Sequence, residues 1–402
     1  MSNKLPRLLL ILFLVTAVLF SGAALTGCGP KDEENKPAKE QAAEPAQEQA
    51  AEPELIEVPV EHDEQFGGVC VKMPIEEFNK TGFALGDSVD IEFSNGYMLH
   101  DLPYYSGCYV QPGDALLAGY PGYDFIEVSV SCGDDLWDTA GLKENDTADI
   151  TLREKGKYLE IQKAGDITYE DSRDAFESDV IFANFRAVEA GSLKKNQVFR
   201  SASPCDNTRG RASCADDLIE KAGVRYIINL ADSEEKISEF TNADDFDSPY
   251  FASLYKEGDV ALLAVDMNYK SVAFRDQLIQ GLRAMADHRG PYLIHSLEGK
   301  DRTGFVCMML EALAGASYDE IVDDYMITYD NYYGINKTSD PGRYKTIKEN
   351  NIDPMLRFLA GDMADMESAD LARCAVNYLR NSGMDDDEIE KLKSRIMNES
   401  SE

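Results

Sequence analysis

The residues with the clearest chemical use stand together at His295-Ser296-Leu297-Glu298-Gly299-Lys300-Asp301-Arg302-Thr303-Gly304. A phosphate monoester dianion needs hydrogen-bond donors. A loop that opens onto a helix N-terminus supplies them, because successive backbone N–H groups point inward and the helix dipole favours negative charge. Leu297, Glu298, Gly299, Lys300, Asp301 and Arg302 are the expected cradle. Arg302 offers a planar fork for two phosphate oxygens, and Lys300 adds a second positive charge. Gly299 and Gly304 are expected to let the backbone curl close to the ligand. Ser296 places a hydroxyl at the mouth of the loop.

Such a loop must be fed by a strand and followed by a helix. Residues 292–295 read as a buried strand and 304–314 as an apolar helix. The surrounding pattern agrees. Short strands are predicted at 184–188 and 197–200, and buried strands at 224–230 and 260–265. Helices are predicted at 216–222 and 272–288, the second broken by Gly290-Pro291. The rest reads as helix over 318–333, 355–363, 369–382 and 386–397. Alternating strands and helices predict an α/β domain over residues 164–402, with a central mixed sheet flanked by helices and a helical C-terminal extension.

Residues 56–163 read differently, as a small all-β sandwich or barrel. Strands are expected at 68–73, 88–93, 108–110, 125–132, 148–152 and 158–161, with turns at Asn95-Gly96, Gly113-Asp114 and Gly122-Tyr123. Trp137 and the Tyr104-Tyr105 pair could form a ligand platform or simply pack the core. No catalytic constellation and no internal repeat is visible in this part.

The loop resembles the phosphate-binding loop of the protein tyrosine phosphatase superfamily: His-Cys, five residues, then Arg and Ser or Thr. The match holds at every position except Ser296, where the family has its nucleophilic Cys. The run Gly-Lys-Asp-Arg-Thr-Gly is similar to those of bacterial tyrosine and lipid phosphatases and, more loosely, bacterial cysteine phytases. The resemblance covers about residues 166–350. It implies phosphotyrosine, inositol phosphate or phosphoinositide as substrate, a Cys-dependent phosphoenzyme, and no cofactor. In relatives of this type a basic residue at the Lys300 position often goes with the inositol-containing substrates. The resemblance gives Thr303 the hydroxyl that assists the nucleophile and His295 the role of hydrogen-bonding within the loop. It also implies an Asp general acid on a separate loop. Asp266, in Ala264-Val265-Asp266-Met267-Asn268, has the right order and distance, unless it merely caps a turn. Asp301 is the rival and Asp232 a weaker third. Arg200-Ser201-Ala202-Ser203-Pro204 matches a segment that shapes the pocket floor. Arg209 and Arg211 either add charge near the mouth or are exposed.

Ser296 changes the expected chemistry. The cradle that would hold a Cys as thiolate cannot make an alkoxide of a serine near neutral pH. His295 points elsewhere by strand alternation, and Cys307 lies within the following helix and faces the core. The expectation is a substrate-trapping form or pseudophosphatase that hydrolyses phosphate monoesters once Ser296 is Cys. The alternatives are a surface module that binds phospho-ligands without catalysis, and an interaction protein that works through its β-domain.

Charge and termini place the chain. With 74 acidic and 39 basic residues the formal net charge is −35, a surface that repels nucleic acid. Residues 1–28 read as a signal peptide: Lys4 and Arg7, an apolar run over 8–20, then Leu25-Thr26-Gly27-Cys28. The last four resemble a bacterial lipobox, in which Cys28 would carry the lipid. Residues 29–55 read as a disordered acidic tether. The expected setting is the bacterial cell envelope, lipid-anchored to the outer face of the cytoplasmic membrane or secreted. The expected partners are that membrane and a phosphorylated small molecule, lipid or protein. Seven further cysteines form no C-x-x-C pair, so a metal site has no support; Cys205 and Cys214 could pair.

Overall fold

Seven strands in the N-terminal part of the folded chain close on themselves. The computed structural model describes residues 53–362 and 365–398, which belong to one compact unit beginning at Ala51. The expected signal peptide, Cys28 and nearly all of the expected tether lie outside the described residues. The strands are β1 (Glu54–Asp63), β2 (Gly68–Pro74), β3 (Ser88–Phe93), β4 (Met98–Tyr105), β5 (Ala115–Ala118), β6 (Phe125–Val130) and β7 (Thr147–Glu154). They run β1-β2-β6-β5-β4-β3-β7 around a closed barrel, sealed by antiparallel pairing of β1 with β7. Val69, Val71, Val89, Ile91, Ile126, Val128 and Ile150 alternate with outward residues and fill its interior.

Three details depart from expectation. Strand β1 begins at Glu54, inside the span read as tether, because its alternating Val58 and Val60 are buried. Residues 108–110 form an irregular segment, and 158–161 fall largely in a helix, Leu159–Gly165. In each the aromatic and β-branched residues pack against the barrel's outer side rather than join its ladder. Tyr104 and Tyr105 are fully buried and Trp137 stacks on His62 at 5.4 Å, so these aromatics serve packing.

The second part is a five-stranded mixed sheet: β8 (Arg186–Ala187), β9 (Val198–Ser201), β10 (Tyr226–Asn229), β11 (Val260–Leu262) and β12 (Tyr292–His295), in the order β11-β10-β12-β9-β8. The first four in that order are parallel, and β8 is antiparallel on β9. Helix Val272–Asp287 starts where the Ser271 side chain accepts the Phe274 N–H. Helix Tyr318–Tyr333 opens on a Ser317–Glu320 capping box. Helix Asp301–Leu313 is buried from Thr303 to its end, as a helix hydrophobic all round must be. Its Phe305 stacks on Tyr269 at 5.0 Å and meets Phe274 edge-on at 5.3 Å. The parallel strands all release their chains at one edge, the usual place for a ligand in such a sheet.

Candidate functional site

That edge gathers Ser203 after β9, Asp232 after β10, Asp266 after β11 and Ser296 after β12. The helix after β12 begins at Asp301, earlier than the pattern suggested, so Arg302 and Thr303 sit in its first turn. Between strand and helix the chain turns through Gly299 at φ 64°. A Cβ there would lie 2.1 Å from the Ser201 carbonyl oxygen, so only glycine fits. Gly304 has another purpose than the one expected. Its bare Cα faces the Tyr325 ring, which a Cβ would meet at 2.6 Å. It permits close helix packing and not approach of a ligand.

The carbonyls of Leu297, Glu298, Gly299 and Lys300 are each held by a protein donor. Leu297 O accepts the Ser203 N–H at 3.1 Å. Glu298 O accepts the Tyr332 hydroxyl at 2.8 Å. Gly299 O accepts Arg200 Nη2 at 2.8 Å and Asn184 Nδ2 at 3.2 Å. Lys300 O accepts the Gly304 N–H at 2.7 Å and Arg200 Nη2 at 3.2 Å. With these carbonyls held, the N–H groups from Leu297 to Arg302 have no protein acceptor among the described residues. Unpaired donors at a helix N-terminus make an anion cradle.

A buried charge cluster underlies this arrangement. Arg200 is completely buried and meets Asp324 at 2.6 Å; Arg186 meets the same carboxylate at 2.9 Å. The two guanidinium groups hold the Asp324 carboxyl below its usual range against the opposing effect of burial. Glu311, also buried, is pushed well above the usual range by burial and then by Asp324. Asn184, in the left-handed region at φ 49°, bridges this cluster to the loop. Of these residues the sequence reading singled out only Arg200, as part of a pocket floor.

Ser296 is nearly fully buried, and its hydroxyl accepts the Thr303 hydroxyl at 3.1 Å. No base reaches it. His295 is buried with neither ring nitrogen hydrogen-bonded. Burial is the largest effect on its pKa, which is lowered to about 3, with Arg302 adding to the fall and the Ser296 backbone opposing it. The ring is therefore neutral and packs beneath the loop beside the Ser296 backbone.

Arg302 donates to Val265 O at 3.1 Å. Burial lowers its pKa, and Asp232, Asp301, Asp266 and Glu298 raise it again, so it remains a cation at any ordinary pH. The three candidate acids differ. Asp266 is exposed and accepts the Asn268 N–H at 2.8 Å, the arrangement of a turn cap. Asp301 is partly exposed, paired with Lys300 at 2.9 Å and reached by the Tyr325 hydroxyl at 3.1 Å. Asp232 is buried, accepts Asn229 Nδ2 at 3.0 Å, and is raised above the usual carboxyl range chiefly by burial.

The segment carrying Asp266 is held from two sides. Arg302 fixes Val265 from within. From outside, three consecutive side chains reach the barrel: Asn268 Nδ2 to Cys132 O at 2.8 Å, the Tyr269 hydroxyl to Gln111 Oε1 at 2.8 Å, and Lys270 Nζ to Pro112 O at 3.0 Å. Ala264, just before it, is held at φ 46°, a strained state for a residue with a Cβ.

The remaining expected residues have these neighbours. Lys300 is mostly buried, lies 5.5 Å from the centre of the Tyr329 ring and pairs with Asp301; these neighbours hold it well above its usual pKa despite burial. Arg211 is buried, pairs with Asp171 at 2.7 Å and donates to Phe182 O. Arg209 bridges Asp171 at 3.0 Å and Glu298 at 3.7 Å, so it does stand beside the loop. Cys205 and Cys214 are both free. Burial pushes the Cys307 thiol up to about 12, which leaves it inert.

A family model described as the tyrosine phosphatase family matches residues 182–398. A tyrosine-protein phosphatase from Nostoc commune is 28% identical over 215 residues, 46% of this chain and 71% of its own length. A solved structure of an uncharacterized conserved protein from Thermotoga maritima is 21% identical over 24% of this chain, with a TM-score of 0.20; the match spans 35% of that protein's chain. The family match covers more than half of the 402 residues and includes β12, the loop and the helix that follows. The chain belongs to the tyrosine phosphatase family.

Proposed function

We propose that the protein captures phosphate monoesters in the loop from Ser296 to Arg302 and that, with serine at position 296, it holds them without forming a phosphoenzyme. The observation that carries this reading is the set of protein-bound carbonyls, which leaves the N–H groups of Leu297 to Arg302 for an anion. Phosphotyrosine, an inositol phosphate and a phosphoinositide all present the dianion this loop suits.

In a cysteine form the same residues would run a double displacement. The thiolate attacks phosphorus, the ester P–O bond breaks, and a carboxylic acid protonates the leaving oxygen; water then hydrolyses the phosphocysteine. Asp232, buried and raised above the usual carboxyl range chiefly by burial, suits the acid role better than Asp301, which pairs with Lys300, or Asp266, which is exposed and caps its own turn. Thr303 stabilises the departing thiolate through the hydrogen bond it now gives Ser296.

Arg302→Ala tests the capture reading. Charge-assisted hydrogen bonds are worth about 1.5–3 kcal/mol, so losing the fork should weaken inorganic phosphate and phenyl phosphate binding by at least about tenfold. Isothermal calorimetry on the unchanged chain and the variant reads this. Unaltered affinity would remove Arg302, and the cradle with it, from the binding site.

We further propose that Cys28 carries a lipid that anchors the protein to the outer face of the bacterial cytoplasmic membrane. A basic start, an apolar run and Leu25-Thr26-Gly27-Cys28 support it. Cys28→Ser in a bacterial host should move the protein from the membrane fraction to the soluble one. Unchanged partitioning would mean that Cys28 does not anchor it.

A further inference from the structure

A cavity of about 270 Å³ lies where the barrel meets the α/β part, and Lys300 and Asp301 of the phosphate loop form part of its wall. Its remaining lining is largely apolar and aromatic, with Tyr109, Ile161, Ile167, Met267 and Met355 prominent. The barrel side is prepared for this. The Tyr109 ring lies between two glycines: a Cβ on Gly107 or on Gly165 would come within 2.6 Å of it. Two positions separated by three barrel strands thus both lack a side chain where the ring passes, and the ring is fixed as a wall. Gln111, also lining the cavity, is immobilised by Tyr269 and by the Asn350 carbonyl. Residues 107–112 lie outside the stretch that matches the family, 182–398.

We propose that the barrel supplies one wall of the ligand site, and that this cavity takes the aromatic or short apolar body of a monoester whose phosphate sits in the loop. The inference rests on the capture reading above. Continuity favours it, since consecutive loop residues bound both the cradle and the cavity. Size and chemistry favour it too. The volume is at the small end of ligand pockets, which begin at about 300 Å³, so it suits a single ring or short chain. Tyrosine rings and methionine sulfurs are good neighbours for an aromatic group.

The test uses the chain as it stands, with phenyl phosphate and inorganic phosphate as probes. Phenyl phosphate should bind about tenfold or more tightly than inorganic phosphate, from burial of the ring. Tyr109→Ala removes the wall and Ile161→Trp fills the space; both should abolish that preference while leaving inorganic phosphate affinity within about twofold. Tyr109→Phe should retain it, because the ring and not the hydroxyl forms the wall. Equal affinity for the two probes in the unchanged chain, or a preference that survives both Tyr109→Ala and Ile161→Trp, overturns the proposal, as does a parallel loss for both probes. Absence of inorganic phosphate binding in the unchanged chain would instead overturn the capture reading on which it stands.

Discussion

Ser296→Cys is expected to raise hydrolysis of an aryl phosphate by at least about a thousandfold, since loss of a covalent nucleophile elsewhere costs up to about 10⁶ in kcat. The surroundings are already those of a thiolate. The sulfur would sit at the N-terminus of a buried helix, facing N–H groups whose carbonyls are tied back, and would receive the Thr303 hydroxyl. These features lower a thiol pKa by several units. They do little for a serine hydroxyl, and His295, whose pKa is lowered to about 3 chiefly by burial, is too weak a base to help it. Steady-state rates with p-nitrophenyl phosphate, together with trapping of a phosphocysteine, would read the change. Equal turnover by the serine and cysteine forms would place the chemistry elsewhere in the molecule.

Asp324→Ala is expected to destabilise the fold by about 3–5 kcal/mol, the range for leaving a buried charge without its partner. Asp324 is the shared counter-ion of Arg186 and Arg200, and Arg200 has no access to water. Removing the carboxylate leaves two guanidinium groups facing each other in the interior. The carbonyls of Gly299 and Lys300 would lose the rigid donor that holds them, so phosphate affinity should fall with stability. Urea unfolding measures the first effect and calorimetry the second. Replacing all three members together, Arg186→Met, Arg200→Met and Asp324→Leu, should recover much of the stability but not the affinity, because the apolar set restores packing without the hydrogen bonds. A loss below about 1 kcal/mol for Asp324→Ala would mean that water reaches the cluster.

The strand at 292–295, the helix at 318–333 and the loop between His295 and Gly304 were legible because each is a local pattern: an apolar run, a helical stretch, a fixed spacing of Gly, Arg and Thr. The clamp beneath the loop was not. Asn184, Arg186, Asp324 and Tyr332 lie far apart in the chain, and a polar residue that will be buried looks in sequence like one that will be exposed. The barrel was half legible for a similar reason. Alternation reveals β3 and β6, but closure depends on pairing between β1 and β7, some ninety residues apart at Leu55 and Ile150. The helix Leu159–Gly165 was misread as a strand because Tyr158 and Ile161 favour strands, whereas packing on Tyr105 and Tyr109 decided the outcome. Asp266 had the right place in the order of elements. Only coordinates could tell that its carboxylate closes its own turn.

Asn268, Tyr269 and Lys270 each spend a side chain on the barrel, and those three grips lie within a few residues of Val265, which Arg302 holds from the other side. A fragment trimmed to residues 182–398 would keep every loop residue and lose the acceptors at Cys132, Gln111 and Pro112. The segment beside Arg302 would then hang from one end only. The stretch recognisable by kinship and the stretch that works as a mechanical part therefore have different borders: the barrel acts as a splint for its neighbour.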